Sequence, residues 1–463
     1  MAIVSAMLHD RLRQLIGQEW VRTDEPTREV YGQDALKQPR LPDAVVFPAD
    51  TREIAQIAAL CHETRTPLVP RGAGTGYSGG AVPLHAGVLL SLERLNRILE
   101  IDERSLLAVV QPNVMTGALQ SAVEARGLFY PPDPASLERS AIGGNVAECA
   151  GGPRAFKYGT TKRYVLGLEA VLPTGAVIRT GSKTVKNVVG YDLTQLLVGS
   201  EGTLAIVTEI ILRLLPKPRA RATVRATFRS VASAIDGVWR LLHSGVVPSA
   251  IELIDAASLA AVRAYLGTSL APDGTGAVLL LEADGGEAAV AEDLALMEGA
   301  CADAGATEVR RAADEAEREE LWRLRRELSP SLRMIAPLKL NHDVVVPTGR
   351  IPELFDLVEG LRQRYALRIA SFGHAGDGNI HVNIMADPDD AAEVARARDA
   401  ERRLFEGVVA LSGSISGEHG IGYTKAPYLG IELSPDTIDL MRRLKQTFDP
   451  RGILNPGKIF PDR

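Results

Sequence analysis

The sequence predicts an α+β fold with more than one core. The chain has 463 residues, more than a single hydrophobic core serves. Up to about Pro218 it alternates β-rich runs with glycine-rich joints. Beyond Pro216 and Pro218 it changes to longer helical patterns with isolated strands, which suggests an α+β domain of its own.

Taken in order, DAVVFPADTREIAQIAALCHETRTPLVPRG reads as a strand, a helix from Arg52 to about His62 and a second strand. Gly72, Gly74, Gly76, Gly79 and Gly80 crowd the loop that follows. YVLGLEAVLPTGAVIRT and GTLAIVTEIILRLL are β-rich, whereas VASAIDGVWRLLHSG and AVAEDLALMEGACADAG are helical. In IPELFDLVEGLRQRY, Pro352 stands near a helix start and Leu354, Phe355, Val358 and Leu361 recur at helical spacing. LRIASFGH and IHVNIM follow as strands. A charged helix is expected from about Asp389 to Leu411, then the glycine-rich GSISGEHGIGYTK. Ser434, before Pro435, caps a last helix through about Thr447.

Composition narrows the function. With 46% apolar and 24% charged residues the chain is of the soluble globular class. A net charge of -6 supplies no broad positive field, so nucleic acid is not an expected partner. Cys61, Cys149 and Cys301 are odd in number and far apart, which fits neither a disulfide framework nor a CxxC metal site. No apolar run reaches the roughly 18 to 20 residues that span a bilayer, and the first twenty residues lack a signal-peptide pattern. A cytoplasmic protein is expected, with peripheral docking on a membrane left open.

Two stretches carry chemistry. Gly74, Gly76 and Gly79 match G-x-G-x-x-G, but Pro83 and the β-like GVLLSL come next instead of the helix that a dinucleotide fingerprint needs. Such a run of small residues either wraps a pyrophosphate with its backbone N–H groups or makes a tight inter-strand turn. In FGHAGDGNIHVNI, His374 and His381 flank a turn and are either ordinary strand residues or convergent metal ligands. Glu418 and His419, between Gly417 and Gly420, supply a carboxylate and a further imidazole. Two neutral imidazoles and one carboxylate leave coordination positions open, which suits zinc or a similar divalent ion that also binds substrate.

PPDPAS (from Pro131), AIGGNVAECAGG (from Ala141), KYGTTKRYVLGLEAVLPTG, GYDLTQLLVGSEGTLAIVTEI and the terminal NPGK occur in this order. Together they resemble the vanillyl-alcohol oxidase type of FAD-linked flavoproteins, in the branch of D-lactate, glycolate and D-2-hydroxyglutarate dehydrogenases. The resemblance covers about residues 40 to 460. It implies a two-subdomain FAD-binding domain (residues 1–218), a ferredoxin-like α+β substrate or cap domain (219–411) and a C-terminal segment (412–463) returning to the first. By this likeness the FAD pyrophosphate lies against Arg71, Gly72, Ala73, Gly74, Thr75, Gly76, Ser78 and Gly79. Pro132, Asp133, Ser136, Gly143, Gly144, Asn145 and Gly152 lie along the flavin, Glu201, Gly202 and Ile206 serve the adenosine side, and Asn455 approaches from the C-terminus. The glycine loop lacks the histidine that links flavin covalently in some relatives, so FAD is expected to be non-covalent.

The same resemblance implies a divalent metal, zinc as the expected ion, on His374, His381 and Glu418, with His419 as general base. A 2-hydroxy acid would meet Arg325 and Ser329, expected one helical turn apart on one face, together with Asn383. Where the D-2-hydroxyglutarate enzymes carry a lysine, this chain has Asn341; Lys339 lies two residues earlier, and the change favours a monocarboxylate such as D-lactate or glycolate. The expected function is FAD- and metal-dependent oxidation of a D-2-hydroxy acid to the 2-oxo acid. A metal-free FAD oxidase or reductase, or a non-catalytic flavin-binding subunit, stands as the alternative. A quinone, an electron-transfer flavoprotein or a partner subunit would take the electrons, and a homodimer is compatible with the sequence.

Overall fold

The computed structural model describes residues 2–460. It divides into two compact units. The first comprises the chain up to Gly151, Thr160–Lys217 and the chain from Glu418; the second comprises Gly152–Gly159 and Pro218–Gly417.

The first unit holds two larger sheets and a two-stranded one that pairs Leu128–Phe129 with Leu215–Pro216. Strands β1 (Val21–Arg22), β2 (Ala44–Val46), β3 (Leu68–Arg71) and β4 (Val88–Ser91) stand in the order β1-β2-β4-β3, with β4 parallel to both β2 and β3. Helix α1 (Thr51–Thr64) joins β2 to β3. It starts where Asp50 accepts a bond from the Glu53 N–H at 2.8 Å while the Glu53 carboxylate accepts one from the Ala49 N–H at 2.7 Å. Its Ile54, Ile57, Ala58 and Cys61 are buried in one core with Val46, Leu68, Val88, Leu90 and Leu454. The chain's end completes this sheet. Leu454 bridges Leu68 in parallel, fixed by Leu68 N–H to Ile453 O and Asn455 N–H to Leu68 O, both 2.8 Å. The second sheet is antiparallel, built from β5 (Ile98–Asp102), β6 (Leu107–Val110), β7 (Val165–Val171), β8 (Val177–Gly181) and β9 (Ile206–Arg213) in the order β5-β6-β9-β7-β8. A short helix, α2 (Ile142–Glu148), lies between β6 and β7 in sequence.

The second unit is built on one antiparallel sheet of seven strands: β10 (Ala220–Phe228), β11 (Ala250–Asp255), β12 (Ala277–Gly285), β13 (Glu308–Arg311), β14 (Leu338–Val345), β15 (Arg368–His374) and β16 (Asn379–Ala386). Their order is β13-β10-β12-β11-β15-β16-β14. With α3 (Val231–His243), α4 (Ala256–Leu266) and α5 (Glu287–Asp303), the first four strands run β10-α3-β11-α4-β12-α5-β13. Apart from the inserted α4 this is the ferredoxin-like βαββαβ order, and the other three strands lengthen the sheet beyond β11. Further long helices are α6 (Glu315–Arg326), α7 (Ile351–Tyr365) and α8 (Ala391–Ala410) in the second unit, and the first unit adds Ala2–Ile16 and α9 (Pro435–Phe448).

Side chains alternate across a strand, and residues directly opposite on paired strands share a face. On one face β10 to β12 present Val224, Ala226, Phe228, Ile251, Leu253, Leu279 and Leu281, all buried. The other face is polar over much of its breadth, and the candidate site lies there.

Two stretches differ from the expected domain edges. Residues 152–159 join the second unit because Lys157 Nζ and the Tyr158 hydroxyl both donate to the buried Asp284, at 2.6 and 2.8 Å. Residues 412–417 join it because Ser414 and Val345 exchange both backbone bonds, at 2.8 and 3.0 Å.

Candidate functional site

In the first unit the glycine loop leaves β3 and enters no helix; the next element is β4. Gly74 has φ +67°, and a Cβ there would lie 2.2 Å from the Arg71 guanidinium, whose Nη1 donates to Gln33 O at 2.6 Å. Gly79 has φ +78°, and a Cβ would lie 2.0 Å from the Tyr423 ring. Both glycines are therefore required by the loop's own packing. Gly76 and Gly144 differ: a Cβ at either meets nothing within 4 Å. These two positions leave room over the backbone, and an extended phosphate fits such a cradle.

The other residues assigned to the flavin fall into two groups. Pro132 O accepts from Gln120 Nε2 at 2.9 Å, Ser136 O accepts from the Ser140 N–H at 2.7 Å, and Asn145 Nδ2 donates to Thr116 Oγ1 at 2.8 Å, so these hold their own loops. Gly143 packs on Pro112, where a Cβ would stand 2.5 Å away. Ser78 is buried, Ala73, Thr75 and Asp133 are half-buried, and Gly152, with φ +133°, belongs to the second unit. Glu201 and Asn455 are clamps. The buried Glu201 carboxylate accepts from the N–H groups of Ile421 and Gly422 at 2.8 and 2.6 Å. Asn455 Nδ2 donates to Gly80 O and Glu201 O at 2.9 and 2.8 Å. Gly202, with φ +64°, packs on Pro70, and Ile206 is buried at the start of β9 opposite Val171.

The second constellation lies on the polar face of the long sheet. β15 and β16 form a hairpin pairing His374 with Asn379, Phe372 with His381 and Ala370 with Asn383. β14 pairs Asp343 with His381, Asn341 with Asn383 and Lys339 with Met385. β11 pairs Glu252 with His374. Lys339, Asn341, Asp343, His381, Asn383, His374 and Glu252 thus share one face across four strands. The two imidazoles meet edge to face, with centroids 5.3 Å apart.

Glu418 is one peptide bond beyond Gly417, whose N–H donates to Asp343 Oδ2 at 2.9 Å. The buried Asp343 thereby ties the Ser-Gly-Glu-His loop to the strand beside His381. A Cβ at Gly417 would stand 2.6 Å from both Asn379 Nδ2 and Val345 Cγ2, so only glycine fits this approach. The outcome is a three-donor set: one ligand atom each from His374, His381 and Glu418, all within 4.8 Å of one another. Two imidazole nitrogens and a carboxylate at that spacing suit a divalent ion with open positions. His419 lies next to Glu418, its Nε2 4.0 Å from Glu418 Oε1, with its ring 5.5 Å from that of Tyr77.

Helix α6 covers part of the same face. Arg318, Trp322 and Arg325, at i, i+4 and i+7, point inward. Arg318 Nη1 donates to Glu282 at 3.1 Å and Trp322 Nε1 to Thr223 at 3.2 Å. Arg325 Nε donates to Glu252 Oε2, and its guanidinium lies 4.7 Å from the Phe372 ring centroid. The expected Arg325–Ser329 pairing on successive turns of one helix is not found. α6 ends at Arg326, and Ser329 stands on the next short helix, Leu328–Leu332. Ser329 Oγ instead accepts from Lys339 Nζ at 2.6 Å. Asn383 is fully buried and its amide is used within the sheet: Oδ1 accepts from Asn341 Nδ2 at 2.8 Å and Nδ2 donates to His381 O at 3.1 Å.

Charge is tuned at two points. Burial pushes the Glu252 carboxyl up, but the charges and hydrogen bonds of Arg325 and His374 more than reverse this and hold it at about 2. Burial, with Arg333 nearby, lowers the Lys339 ammonium to about 7. Glu252 was not anticipated from the sequence. Its signal was a lone acid in the apolar run AIELI, where a charged residue is rare unless paired.

A family model for an FAD binding domain matches residues 42–181, and one for the C-terminal domain of FAD linked oxidases matches 217–459. The glycolate oxidase subunit GlcD of Bacillus subtilis is 42% identical over 459 residues, covering 99% of this chain and 97% of that one. A D-lactate dehydrogenase of Anaerostipes hadrus is 36% identical over 90% of this chain and 89% of its own. Among solved structures, p-cresol methylhydroxylase with substrate bound superposes with a TM-score of 0.82 at 18% identity, covering 99% and 97% of the two chains. A 4-ethylphenol oxidase from Gulosibacter chungangensis in complex with isoeugenol superposes at 0.79 and 22% identity, covering 99% and 98%. Those likenesses show the fold, the two-domain FAD-binding fold of the vanillyl-alcohol oxidase type.

Proposed function

We propose, from the premise that this chain belongs to the FAD-linked oxidase family, that it oxidises a D-2-hydroxy acid of the D-lactate or glycolate kind to the 2-oxo acid with the help of a divalent cation. The observation that carries this reading is the convergence of His374, His381 and Glu418 on a face that also holds Lys339 and Arg325.

The glycine loop, with room over Gly76 and Gly144, would hold FAD non-covalently. Bound FAD would supply the hydride acceptor. A divalent ion, zinc or similar, on His374, His381 and Glu418 would supply Lewis acidity toward the substrate hydroxyl. His419 is the base in this reading, and its Nε2, 4.0 Å from Glu418 Oε1, receives the hydroxyl proton. Lys339 Nζ and the Arg325 Nη groups attract the substrate carboxylate, since only Arg325 Nε is used on Glu252. Ser329 orients Lys339. Asn383, with its amide bound to Asn341 and His381, shapes the floor of the site. The names of the glycolate oxidase subunit and D-lactate dehydrogenase relatives agree with this substrate class.

The test is anaerobic. Purified protein should show a flavin spectrum, released intact on denaturation, that bleaches with D-lactate or glycolate. His374→Ala and His381→Ala should lose the metal and at least about 100-fold of the reduction rate. Unchanged reduction by metal-free variants would remove the cation from the reaction, and failure of every 2-hydroxy acid to bleach the flavin would remove the substrate class.

A further inference from the structure

Beside the three proposed ligands, the polar face holds a buried carboxylate in contact with His374. Glu252 is fully buried on β11, opposite His374. Its Oε1 meets His374 Nδ1 and its Oε2 accepts from Arg325 Nε. A carboxylate held at both oxygens has one orientation, so the imidazole that it contacts has one as well. Its isolation makes the arrangement informative. Taking a carboxylate fully out of water is unfavourable unless both oxygens are satisfied, and a fully buried position in an inner strand of the sheet would more readily hold an apolar residue.

We infer that Glu252 is a positioning residue for the cation site: it accepts the Nδ1–H of His374, fixes that tautomer, and leaves Nε2 as the atom that faces the ion. Arg325, braced over Phe372, holds the rotamer of Glu252 through the second carboxylate oxygen. Arg325 therefore has two tasks, orienting Glu252 through Nε and offering its Nη groups to an anion, and the cation ligand and the anion anchor are mechanically joined through one carboxylate. Outer-shell carboxylates of this kind set ring orientation and ligand basicity, and their loss costs about 10- to 100-fold in metal affinity.

This rests on the reading of His374, His381 and Glu418 as a divalent-cation site, and the test separates the two. Zinc affinity is measured by chelator competition on full-length holoprotein, with cobalt(II) substitution reporting ligand geometry by its visible spectrum. Wild type and His374→Ala address the site itself: one ion per chain in the first and none in the second supports it. Glu252→Ala and the isosteric Glu252→Gln address the inference. Both should retain flavin and weaken zinc by about 10- to 100-fold, with an altered cobalt spectrum. Wild-type affinity and spectrum in either folded variant would overturn the role of Glu252 while leaving the cation site intact. The tautomer is read independently of folding in the variants, from nitrogen-15 shifts of labelled histidines in wild type, with His374 assigned by its absence in His374→Ala. Protonated Nδ1 and metal-bound Nε2 are expected, and the reverse assignment would overturn the inference.

Discussion

Lys339 turns the site's electrostatics into a pH dependence. Desolvation of this half-buried side chain lowers its ammonium to about 7, below the ordinary 10.5, so the native state releases this proton more readily than the unfolded chain. Its contribution therefore lowers stability fully below about 7, and that cost fades as pH rises from about 7 toward 10.5. A bound carboxylate needs the protonated form. KM for a 2-hydroxy acid should then rise with pH above about 7, up to about tenfold per unit. Lys339→Met should raise KM by about 10-fold or more and abolish that limb. A KM that stays flat from neutral to alkaline pH would take Lys339 away from the substrate. His419→Asn should lower kcat by about 100- to 10,000-fold while leaving bound metal unchanged, and loss of the metal instead would make His419 a ligand. The histidines and Glu418 were legible as candidates in the sequence because each sits in a short glycine-flanked polar motif, and Lys339 only through the family resemblance. Glu252 and the burial of Arg325 were not, because both depend on which strand lies beside β15, and strand order leaves no local trace.

Elements that begin with a capping residue were read closely. Ser434 accepts from the Thr437 N–H at 3.2 Å and starts α9 at Pro435, and Asp390 accepts from the Ala392 and Glu393 N–H groups at 2.9 and 3.0 Å and starts α8. Helix α6 was harder. Its run of charges does not tell the inward side from the outward one: Arg318 and Arg325 are buried while Arg323 pairs with Glu320 in solvent. The difference lies in the acids that face it from β11 and β12, far away in sequence. At the Ser-Gly-Glu-His loop the fit is steric. Gly417→Ala would press a methyl against Asn379 and Val345 at 2.6 Å. The loop would have to move, costing about 1–3 kcal/mol and displacing Glu418, so zinc affinity should fall while flavin content holds. Wild-type affinity in that variant would show that the loop yields without moving its carboxylate.

Across the whole chain, the large-scale plan followed from motif order and from the change in pattern near Pro218. The assignment of residues 152–159 did not, since the bonds of Lys157 to Asp284 span 127 positions. The two ligands of the proposed reading should act differently on the two units. At about 100 times its Kd a ligand adds about 2.7 kcal/mol to the stability of the structure that binds it. FAD, held chiefly by first-unit residues in the proposed reading, should raise the unfolding temperature of that unit by several degrees in calorimetry of protein stripped of it, whereas a cation held by His374, His381 and Glu418 draws ligands from both units and should shift both transitions. An identical response of every transition to either ligand would show the chain melting as a single block. The pairing of Leu454 with Leu68, and the grip of Asn455 on Gly80, bring consequences for biosynthesis. On the ribosome, Leu68 waits for a neighbour that is not made until nearly four hundred residues later, so the nascent chain can finish the second unit well before the first. Flavin should therefore be captured only once Leu454 and Asn455 have been made, and a chain truncated ahead of Leu454 should be made without it.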